Sequence, residues 1–410
     1  MATFLLEVGT EELPASFVSE ALTQWKRKVP AELEEQFLKN DGLEFYGTPR
    51  RLALMIKGLP AQQPDREEEA KGPPAKAAFK GGKPTKAAIG FAASKGVSVE
   101  DLEVRDTDKG EFIFVQQKIA GRATAELLQE MVPNWILGLE GNRFMRWGDG
   151  DLRFPRPIRW LVTLLDDELL PVTMENGSEV CVSDRTTTGH RVLHPKNVTL
   201  NTATDYVGAL KKAYVMADPA ERKTTILSQV AAVASSVNGH AVVDDGLLAE
   251  VVDLVEWPTT LIGKFDDEFL ELPAQVTITE MESHQRYFPV RPAADSEDLL
   301  PHFITVSNGD PAKSALITQG NERVIRARLA DGKFFFAADQ KQPLASYLPD
   351  LEKVTFEASL GSVREKVSRV EKITAFLSDH LGLSAEDREQ ATRGAELCKA
   401  DLVTQMVGEF

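Results

Sequence analysis

Residues 4–29 read FLLEVGTEELPASFVSEALTQWKRKV and set the architecture of the N-terminal region. The apolar run Phe4–Val8 predicts a strand, and the polar stretch 9–12 after it predicts a turn. Pro14 suits the first turn of a helix. Apolar residues then recur at helical spacing, at Val18, Leu22, Trp25 and Val29. This spacing predicts a helix that Pro30 kinks or breaks.

The next segment predicts a strand over Phe45–Leu59, with Thr48-Pro49 as a bulge or edge position. Residues 60–86 are rich in proline and contain Gly81-Gly82, which predicts a mobile linker or arm. Further elements are predicted as a helix at Ala87–Lys95, a strand at Glu111–Ile119 and a helix at Ala123–Leu139. The N-terminal part therefore reads as a β-α-β unit over 1–60, followed at 61–140 by a lysine-rich arm and a small α+β unit.

Strands and helices interleave irregularly across residues 141–345. Predicted strands are Trp160–Leu165, Ala241–Val243, Thr259–Ile262, Gln275–Thr279 and Phe303–Val306. Predicted helices are Thr204–Lys211, Ala220–Val237 and Leu247–Leu254. The many turns between these elements favour a multidomain α+β fold with mixed sheets and packed helices over a doubly wound sheet.

Residues 346–410 are predicted to be helical. Ser362 and Glu365 form a capping box before one helix, and a second helix is expected over Ala385–Met406. The last residue, Phe410, falls inside an apolar pattern without a cap, which predicts a truncated chain.

The composition excludes several classes of protein. The chain has 410 residues and a formal charge of −16, with 47 basic and 63 acidic residues. The two cysteines rule out a disulfide scaffold and a four-cysteine zinc module, and they fit a reducing cytoplasmic compartment. No stretch is long and apolar enough for a membrane span. The acidic total argues against a nonspecific nucleic-acid coat protein, but it does not exclude specific RNA binding by local basic patches. No DNA partner is expected.

Three basic clusters are candidate RNA contacts, because arginine forks bind phosphate and aromatic rings stack on unpaired bases. The first cluster comprises Arg143, Arg146, Trp147, Arg153, Arg156 and Arg159, with Phe144, Phe154 and Trp160 between them. The second is a cationic strip with Lys71, Lys76, Lys80, Lys83, Lys86 and Lys95, of which Lys76, Lys80, Lys83 and Lys86 are the candidate contacts. The third comprises Arg323, Arg326 and Arg328, near Lys333. The alternative is that the rings are core residues and the charges are solvated.

The sequence contains only weak signals for catalytic or metal-binding sites. His190 and His194 have a spacing used by zinc pairs, but Gly189 and Pro195 make a helix there improbable. His284 with Glu280 or Glu282 could act as a base, or could simply lie at a surface. There is no phosphate-binding loop, Gly-x-Ser-x-Gly or Gly-x-Gly-x-x-Gly motif. The sequence therefore predicts no catalytic or metal site in this chain.

Seven segments in order resemble the β subunit of the bacterial two-subunit glycyl-tRNA synthetase. They are FLLEVGTEELP (4–14), YGTPRRLAL (46–54), GFAASKG (90–96), RFMRWGDGDLRFPRPIRWLV (143–162), GHRVLHP (189–195), TEMESHQRYFPV (279–290) and NERVIRARLADGKFFF (321–336). The resemblance implies a B3/B4-like region followed by a helical HD-like segment. It also implies an α2β2 assembly in which the α subunit binds ATP and glycine while the β subunit binds tRNA.

The residues of the HD-like segment can be compared with those that HD hydrolase chemistry requires. A working HD hydrolase needs a His-Asp pair to bind its metal, but Ala400 precedes Asp401 here. The leading hypothesis is therefore a noncatalytic, tRNA-binding subunit that needs no cofactor of its own. The alternatives are an editing-type hydrolase acting on mischarged tRNA, with His284 and Glu280 or Glu282 as candidates, and a pure assembly scaffold.

Overall fold

The computed structural model describes residues 1–409 and confirms the predicted α+β class. The chain forms two compact units, which are Met1–Arg222 with Asp253–Trp257, and Lys223–Val252 with Pro258–Phe410. The finer division into four domains stays a prediction. Within residues 1–409, no helix is long and apolar enough to cross a membrane.

The first unit is built on a five-stranded antiparallel sheet. Its strands are β1 (Ala2–Thr10), β2 (Gly42–Thr48), β3 (Arg51–Leu59), β11 (Ile158–Leu165) and β12 (Glu168–Leu169), in the order β12-β11-β1-β3-β2. The first predicted strand, Phe4–Val8, is thus confirmed as the middle strand of this sheet.

Both faces of the central strand are buried, which explains its nearly continuous apolar sequence. Side chains alternate along a strand, so Phe4, Leu6 and Val8 share one face, where they join a core with α1 (Ala15–Glu35) and α4 (Thr124–Leu137). Leu5 lies on the other face in a second core with α5 (Tyr206–Lys212). The polar residue Glu7 shares the Leu5 face by the same alternation.

Two local predictions in this unit need correction: Pro30 does not break the first helix, and residues 45–59 are not one strand. Helix α1 runs through Pro30 without a break, because Val29 and Leu33 on either side of it are fully buried against the sheet. Residues 45–59 form two strands rather than one. Thr48 pairs with Arg51 across a turn at Pro49-Arg50, where the fixed φ of proline favours reversal over a bulge.

Residues 66–119 form a small folded module that we call the lysine subdomain. Its elements are β4 (Arg66–Pro74), α2 (Ala75–Ala78), β5 (Phe79–Lys80), β6 (Lys83–Pro84), α3 (Lys86–Ser94), β7 (Glu103–Thr107) and β8 (Gly110–Ile119). A three-stranded sheet in the order β4-β8-β7 carries it, around a core of Ala78, Ala88 and Ile113. The strand at Glu111–Ile119 and the helix at Ala87–Lys95 are confirmed.

The predicted mobile linker was wrong for these residues, and the physical reason lies in its prolines and glycines. Pro73 and Pro74 end an edge strand, where a missing N–H is tolerated. Gly81 and Gly82 both have positive φ, 57° and 77°, and close the tight hairpin between β5 and β6. The pattern signalled a turn rather than a linker.

Short hairpins complete the first unit. They are formed by β9 (Met145–Arg146) with β10 (Arg153–Phe154), β13 (Thr173–Asn176) with β14 (Glu179–Val182), and β15 (Thr186–Thr188) with β16 (Asn197–Thr199). Helix α6 (Pro219–Ser235) follows α5 in the chain.

The second unit contains a four-stranded sheet in the order β17-β19-β20-β18. Its strands are β17 (His240–Ala241), β18 (Thr259–Lys264), β19 (Phe288–Arg291) and β20 (His302–Ser307). A small hairpin, β21 (Thr355–Glu357) with β22 (Gly361–Ser362), comes later. The helices are α7 (Asp245–Val252), α8 (Ala274–Thr279), α9 (Ser314–Asp339), α10 (Val363–His380), α11 (Ala385–Leu397) and α12 (Gln405–Glu409).

Two predictions for the second unit need correction. The strand expected at Gln275–Thr279 is helix α8, which follows Pro273 and continues as a π-helical turn at Glu280–His284. Its unbroken run of β-branched residues, 276–279, is typical of a strand. The helix expected over Ala385–Met406 ends at Leu397 and is followed by a 3₁₀ turn at Ala400–Val403. The capping box at Ser362 and Glu365 is confirmed.

Candidate functional site

A polar groove of about 610 Å³ opens on the first unit, beside the middle strands of its main sheet. Its lining includes Arg50, Arg159, Trp160, Asp184, Thr188 and Asn197. We call it the Arg50 groove. Its residues come from three segments far apart in sequence, which the antiparallel pairing of β1 with β3 and β11 brings together.

A fully buried charge cluster lies next to this groove. It consists of Glu7, Arg51 and Glu256, and each side chain is 0% exposed. Arg51 Nη2 lies 3.1 Å from Glu256 Oε1, and Arg51 Nη1 lies 3.8 Å from Glu7 Oε2. Burial opposes the charge of Arg51, but the Glu256 and Glu7 carboxylates outweigh it and raise the pKa of the guanidinium. Arg51 is therefore a charged structural residue.

Two threonines add hydrogen bonds to the cluster. The Thr48 hydroxyl donates to Glu256 Oε1 at 2.8 Å, and the Thr187 hydroxyl donates to Glu7 Oε1 at 2.5 Å. Arg51 Nη1 in turn donates to Thr187 Oγ1 at 3.1 Å. Buried charges persist in proteins when they are paired and hydrogen-bonded in this way, and such networks hold neighbouring groups in one arrangement.

Trp160 connects the buried charge cluster to the groove. Its indole N–H donates to Glu7 Oε1. Its ring lies directly against Gly9, so a Cβ at that glycine would fall 1.8 Å from Trp160 Cε2. A register shift at Gly9/Thr10 marks a bulge beside this contact, a common device for aiming side chains at a site. Trp160 is thus held in a single position.

Arg50 is the charged groove residue with the most unusual environment. It is half-buried, its Cζ lies 5.6 Å from the Trp160 ring centroid, and Nη1 reaches only Gly189 O at 3.5 Å. Nε is buried and without a hydrogen-bond partner, and no carboxylate of residues 1–409 pairs with this guanidinium. Burial lowers the pKa of Arg50. A half-buried guanidinium without an ion pair is a candidate anion-binding group.

The predicted arginine cluster at 143–159 is only partly free. Arg146 pairs with Asp151 at 3.4 Å, and Arg159 lies 3.6 Å from Glu11. Arg156 donates to Pro155 O at 2.7 Å. Arg143 and Arg153 are exposed, and neither forms an ion pair within the described part of the chain. Of this cluster, only Arg159 and the neighbouring Trp160 line the Arg50 groove.

The aromatic rings of that cluster belong mainly to the interior. Phe154 is fully buried, and Phe144 packs against the same core. Both contact Phe17 edge-on, with ring centroids 5.7 Å and 5.5 Å away. The Trp147 indole N–H donates to Phe154 O at 2.8 Å. For Phe154, the structure supports the core alternative.

The four predicted lysines, Lys76, Lys80, Lys83 and Lys86, are exposed on the lysine subdomain. None of them takes part in an ion pair with any residue of 1–409. Lys71 differs, since its ammonium lies 3.7 Å from the centroid of the Phe112 ring. These four ammonium groups therefore form a cationic surface that no acid of the described chain neutralises.

In the second unit the predicted basic residues lie on α9. Arg326 pairs with Asp266 at 2.8 Å, and Lys333 pairs with Glu268 at 2.9 Å. Arg323 and Arg328 are exposed, with no ion pair to another described residue. This helix thus divides its cations between structural pairs and free surface positions.

The candidate base at His284 lies on the π-helical turn. His284 Nε2 is 4.0 Å from Glu280 Oε1, and the Glu280 side chain is only 1% exposed. Burial raises the pKa of Glu280 to about 7; Arg328 opposes this and Asp331 adds to it. Burial, with Asp244, also raises the pKa of Glu282. A carboxylate sealed to this degree does not reach a substrate in solvent.

Metal-binding geometry is not found among residues 1–409, where no group of three or more His, Cys, Asp or Glu could hold an ion. His190 is buried, and its Nδ1 accepts hydrogen bonds from the backbone N–H groups of Val192 and Leu193, at 3.2 Å and 3.1 Å. It therefore shapes the loop 190–194 locally. Ala400 is fully buried and Asp401 exposed.

The sequence-based site prediction missed Arg50, Arg51, Glu7 and Glu256. A signal for three of them was present: Glu7 interrupts the apolar strand 4–8, and Arg50-Arg51 follows a Thr-Pro turn into another apolar strand. Charges inside segments buried on both faces point to a buried pair. Glu256 carried no such signal, because it lies between α7 and β18, in an irregular segment.

Fold and site together define a multidomain α+β protein with a polar groove beside a cluster of buried charges. Comparison with known proteins places it more closely. The family model described as glycyl-tRNA synthetase beta subunit matches residues 4–410.

Named relatives agree with that match. The glycine–tRNA ligase beta subunit of Acaryochloris marina is 60% identical over 410 residues, which is 100% of this chain and 57% of the relative. That of Trichodesmium erythraeum is 58% identical over 413 residues, again 100% and 57%. That of Desulforamulus reducens is 46% identical over 408 residues, 99% and 58%.

The chain belongs to the glycyl-tRNA synthetase beta subunit family. It spans about 57% of the length of the Acaryochloris and Trichodesmium relatives.

Proposed function

We propose that this chain is the tRNA-binding, noncatalytic portion of a glycine–tRNA ligase. Family membership supports a role in charging tRNA with glycine. The RNA-binding half of the proposal rests on one observation: Lys76, Lys80, Lys83 and Lys86 are exposed and lack ion pairs within residues 1–409.

Unpaired lysines bind phosphate with release of counterions. An ammonium group already paired with a carboxylate must break that pair before it binds phosphate, whereas the four lysines need not. Each phosphate neutralised releases condensed cations, so affinity falls as salt rises. Because the chain carries a net charge of −16, RNA approaching it is repelled except where such a local cationic surface exists. The lysine subdomain would therefore set where the RNA lands.

In this proposal, a partner alpha subunit catalyses the reaction and binds ATP and glycine. The two kinds of subunit form an α2β2 assembly in the cytoplasm. The beta chain contributes by holding the tRNA near the activated amino acid, which removes translational and rotational entropy from the transfer step. Glycine-dependent ATP–pyrophosphate exchange by this chain without a partner would contradict the division of labour.

The RNA-binding proposal is tested by matched charge removal. Filter binding of a glycine tRNA is measured between about 50 and 200 mM salt for wild type, for Lys80→Gln/Lys83→Gln, and for Lys57→Gln/Lys211→Gln. The control lysines pair with Glu44 and Glu221 at 2.6 Å and 2.5 Å. We expect the Lys80/Lys83 variant to flatten the slope of log K against log salt by about 2, and the control to leave it unchanged.

Two results would oppose the proposal. A wild-type slope near zero would mean that no phosphates are contacted. An equal loss of slope in both double variants would mean that only net charge matters, and not the unpaired surface.

A further inference from the structure

Resting on the proposed function, we propose that the Arg50 groove binds a single unpaired nucleotide of the bound RNA. The site is separate from the lysine surface, which contacts the phosphate backbone. The size of the groove, the charge of Arg50 and the rigidity of its support favour such a ligand.

Size excludes a duplex. The groove has a volume of about 610 Å³, inside the range of about 300–1,000 Å³ that is typical of small-ligand sites. A base with its sugar and phosphate is a ligand of that class, whereas an RNA helix is too large for a cavity of that volume. Only a nucleotide released from pairing can enter.

The polar lining matches the parts of a nucleotide. Arg50 supplies a guanidinium without a carboxylate partner among residues 1–409, and this group can fork a phosphate or lie flat on a base. Asp184 and Asn197 supply acceptors for the amino groups of a base edge. Arg159 lines the same groove but is already 3.6 Å from Glu11, so Arg50 is the cation available to a ligand.

The support of Arg50 is rigid. The Arg50 guanidinium lies over the Trp160 ring, which is fixed by its bond to buried Glu7 and by its contact with Gly9. Preorganised groups bind with less loss of conformational entropy than mobile ones. The buried charge cluster thereby acts as a positioning element for the groove.

The test compares two RNA duplexes and three variants of the 410-residue chain. One duplex has blunt ends, and the other carries a single-stranded 3′ extension. Arg50→Gln removes the free cation. Asn197→Asp places a carboxylate at an exposed groove residue, where misfolding is not expected. Arg122→Gln is the control, an exposed arginine paired with Glu130 outside the groove.

Wild type should bind the extended duplex about tenfold more tightly than the blunt duplex. Arg50→Gln and Asn197→Asp should each abolish this preference while leaving blunt-duplex affinity unchanged, and Arg122→Gln should preserve it. Equal affinity of wild type for both duplexes, or equal weakening of both by the groove variants, would overturn the inference but not the proposed function. Failure of both duplexes to bind would overturn both.

Titration with free AMP distinguishes a groove that binds RNA from one that binds a small soluble nucleotide. AMP that binds tightly in an Arg50-dependent way, without any preference for the extended duplex, would reassign the groove to a soluble nucleotide and overturn the RNA assignment.

Discussion

Two arginines in the first unit each lie between two glutamates, but in very different surroundings. Arg51 contacts Glu7 and Glu256 with all three side chains at 0% exposure. Arg105, in the lysine subdomain, contacts Glu69 and Glu103, and its side chain is 42% exposed. The pKa of each guanidinium is raised by its carboxylates. Water screens the second triad but not the first.

The contrast shows how this molecule separates structural charges from charges available to a ligand. Beside the Arg50 groove, the fold has removed charged groups from water and paired them, so they position other residues. On the lysine subdomain, charges stay in water, and the four lysines of the cationic surface have no partner within residues 1–409. Geometry, and not residue type, decides which role a cation plays.

Replacing the buried arginine should have the largest effect and is the strongest test of the difference between the two triads. Arg51→Met leaves Glu7 and Glu256 buried without their cation, and should lower the free energy of unfolding by about 3–5 kcal/mol. Arg105→Met should have a far smaller effect, because its glutamates remain hydrated. Urea denaturation of both variants measures the difference. Similar losses at the two positions would show that burial does not set the importance of the triads.

A buried carboxylate without a strong partner provides a second test of how burial affects a charged group. The pKa of Glu280 is raised by burial from 4.5 to about 7, so the folded protein holds a proton that the unfolded chain releases. The contribution of this group to stability is therefore fully present below about pH 4.5, decreases as pH rises through about 7, and then levels off. The total change is about 3 kcal/mol.

Glu280→Gln removes this titration. Relative to wild type, we expect the variant to gain about 3 kcal/mol of stability between pH 4.5 and pH 8, as measured by urea denaturation at both values. Glu389→Gln, at an exposed position of α11, is the control and should follow wild type at every pH. A pH-independent difference between Glu280→Gln and wild type would show that the carboxyl has the same pKa in the folded and unfolded states.

The sequence predicted regular elements well where one physical signal dominated. The strand 4–8, the helices at 87–95 and 123–139, and the Ser362 cap were all confirmed in place, because apolar periodicity and capping are local. The errors arose where tertiary packing overrode a local signal. Pro30 should interrupt a helix, yet the buried residues beside it hold α1 together.

The groove was less predictable than the fold, for a reason visible in its residues. Arg50 and Trp160 are 110 positions apart in sequence and meet only because β1 pairs with both β3 and β11. Nothing local distinguishes Arg50, which approaches a ligand groove, from Arg51, which is sealed beside it. The exposed lysines were the opposite case, since residues 71–95 contain no Asp or Glu and leave few carboxylates nearby to pair with them.

The smallest expected effect concerns those lysines and completes the comparison. Lys80→Gln/Lys83→Gln removes two ammonium groups that have no ion pair to another described residue, so nothing in the fold depends on them. The melting temperature should stay within about 2 °C of wild type while RNA affinity falls. Calorimetry measures the melting temperature and filter binding measures the RNA affinity, both on the same protein sample. A large drop in melting temperature would mean that these lysines stabilise the subdomain, and the weaker RNA binding would then follow from unfolding rather than from lost phosphate contacts.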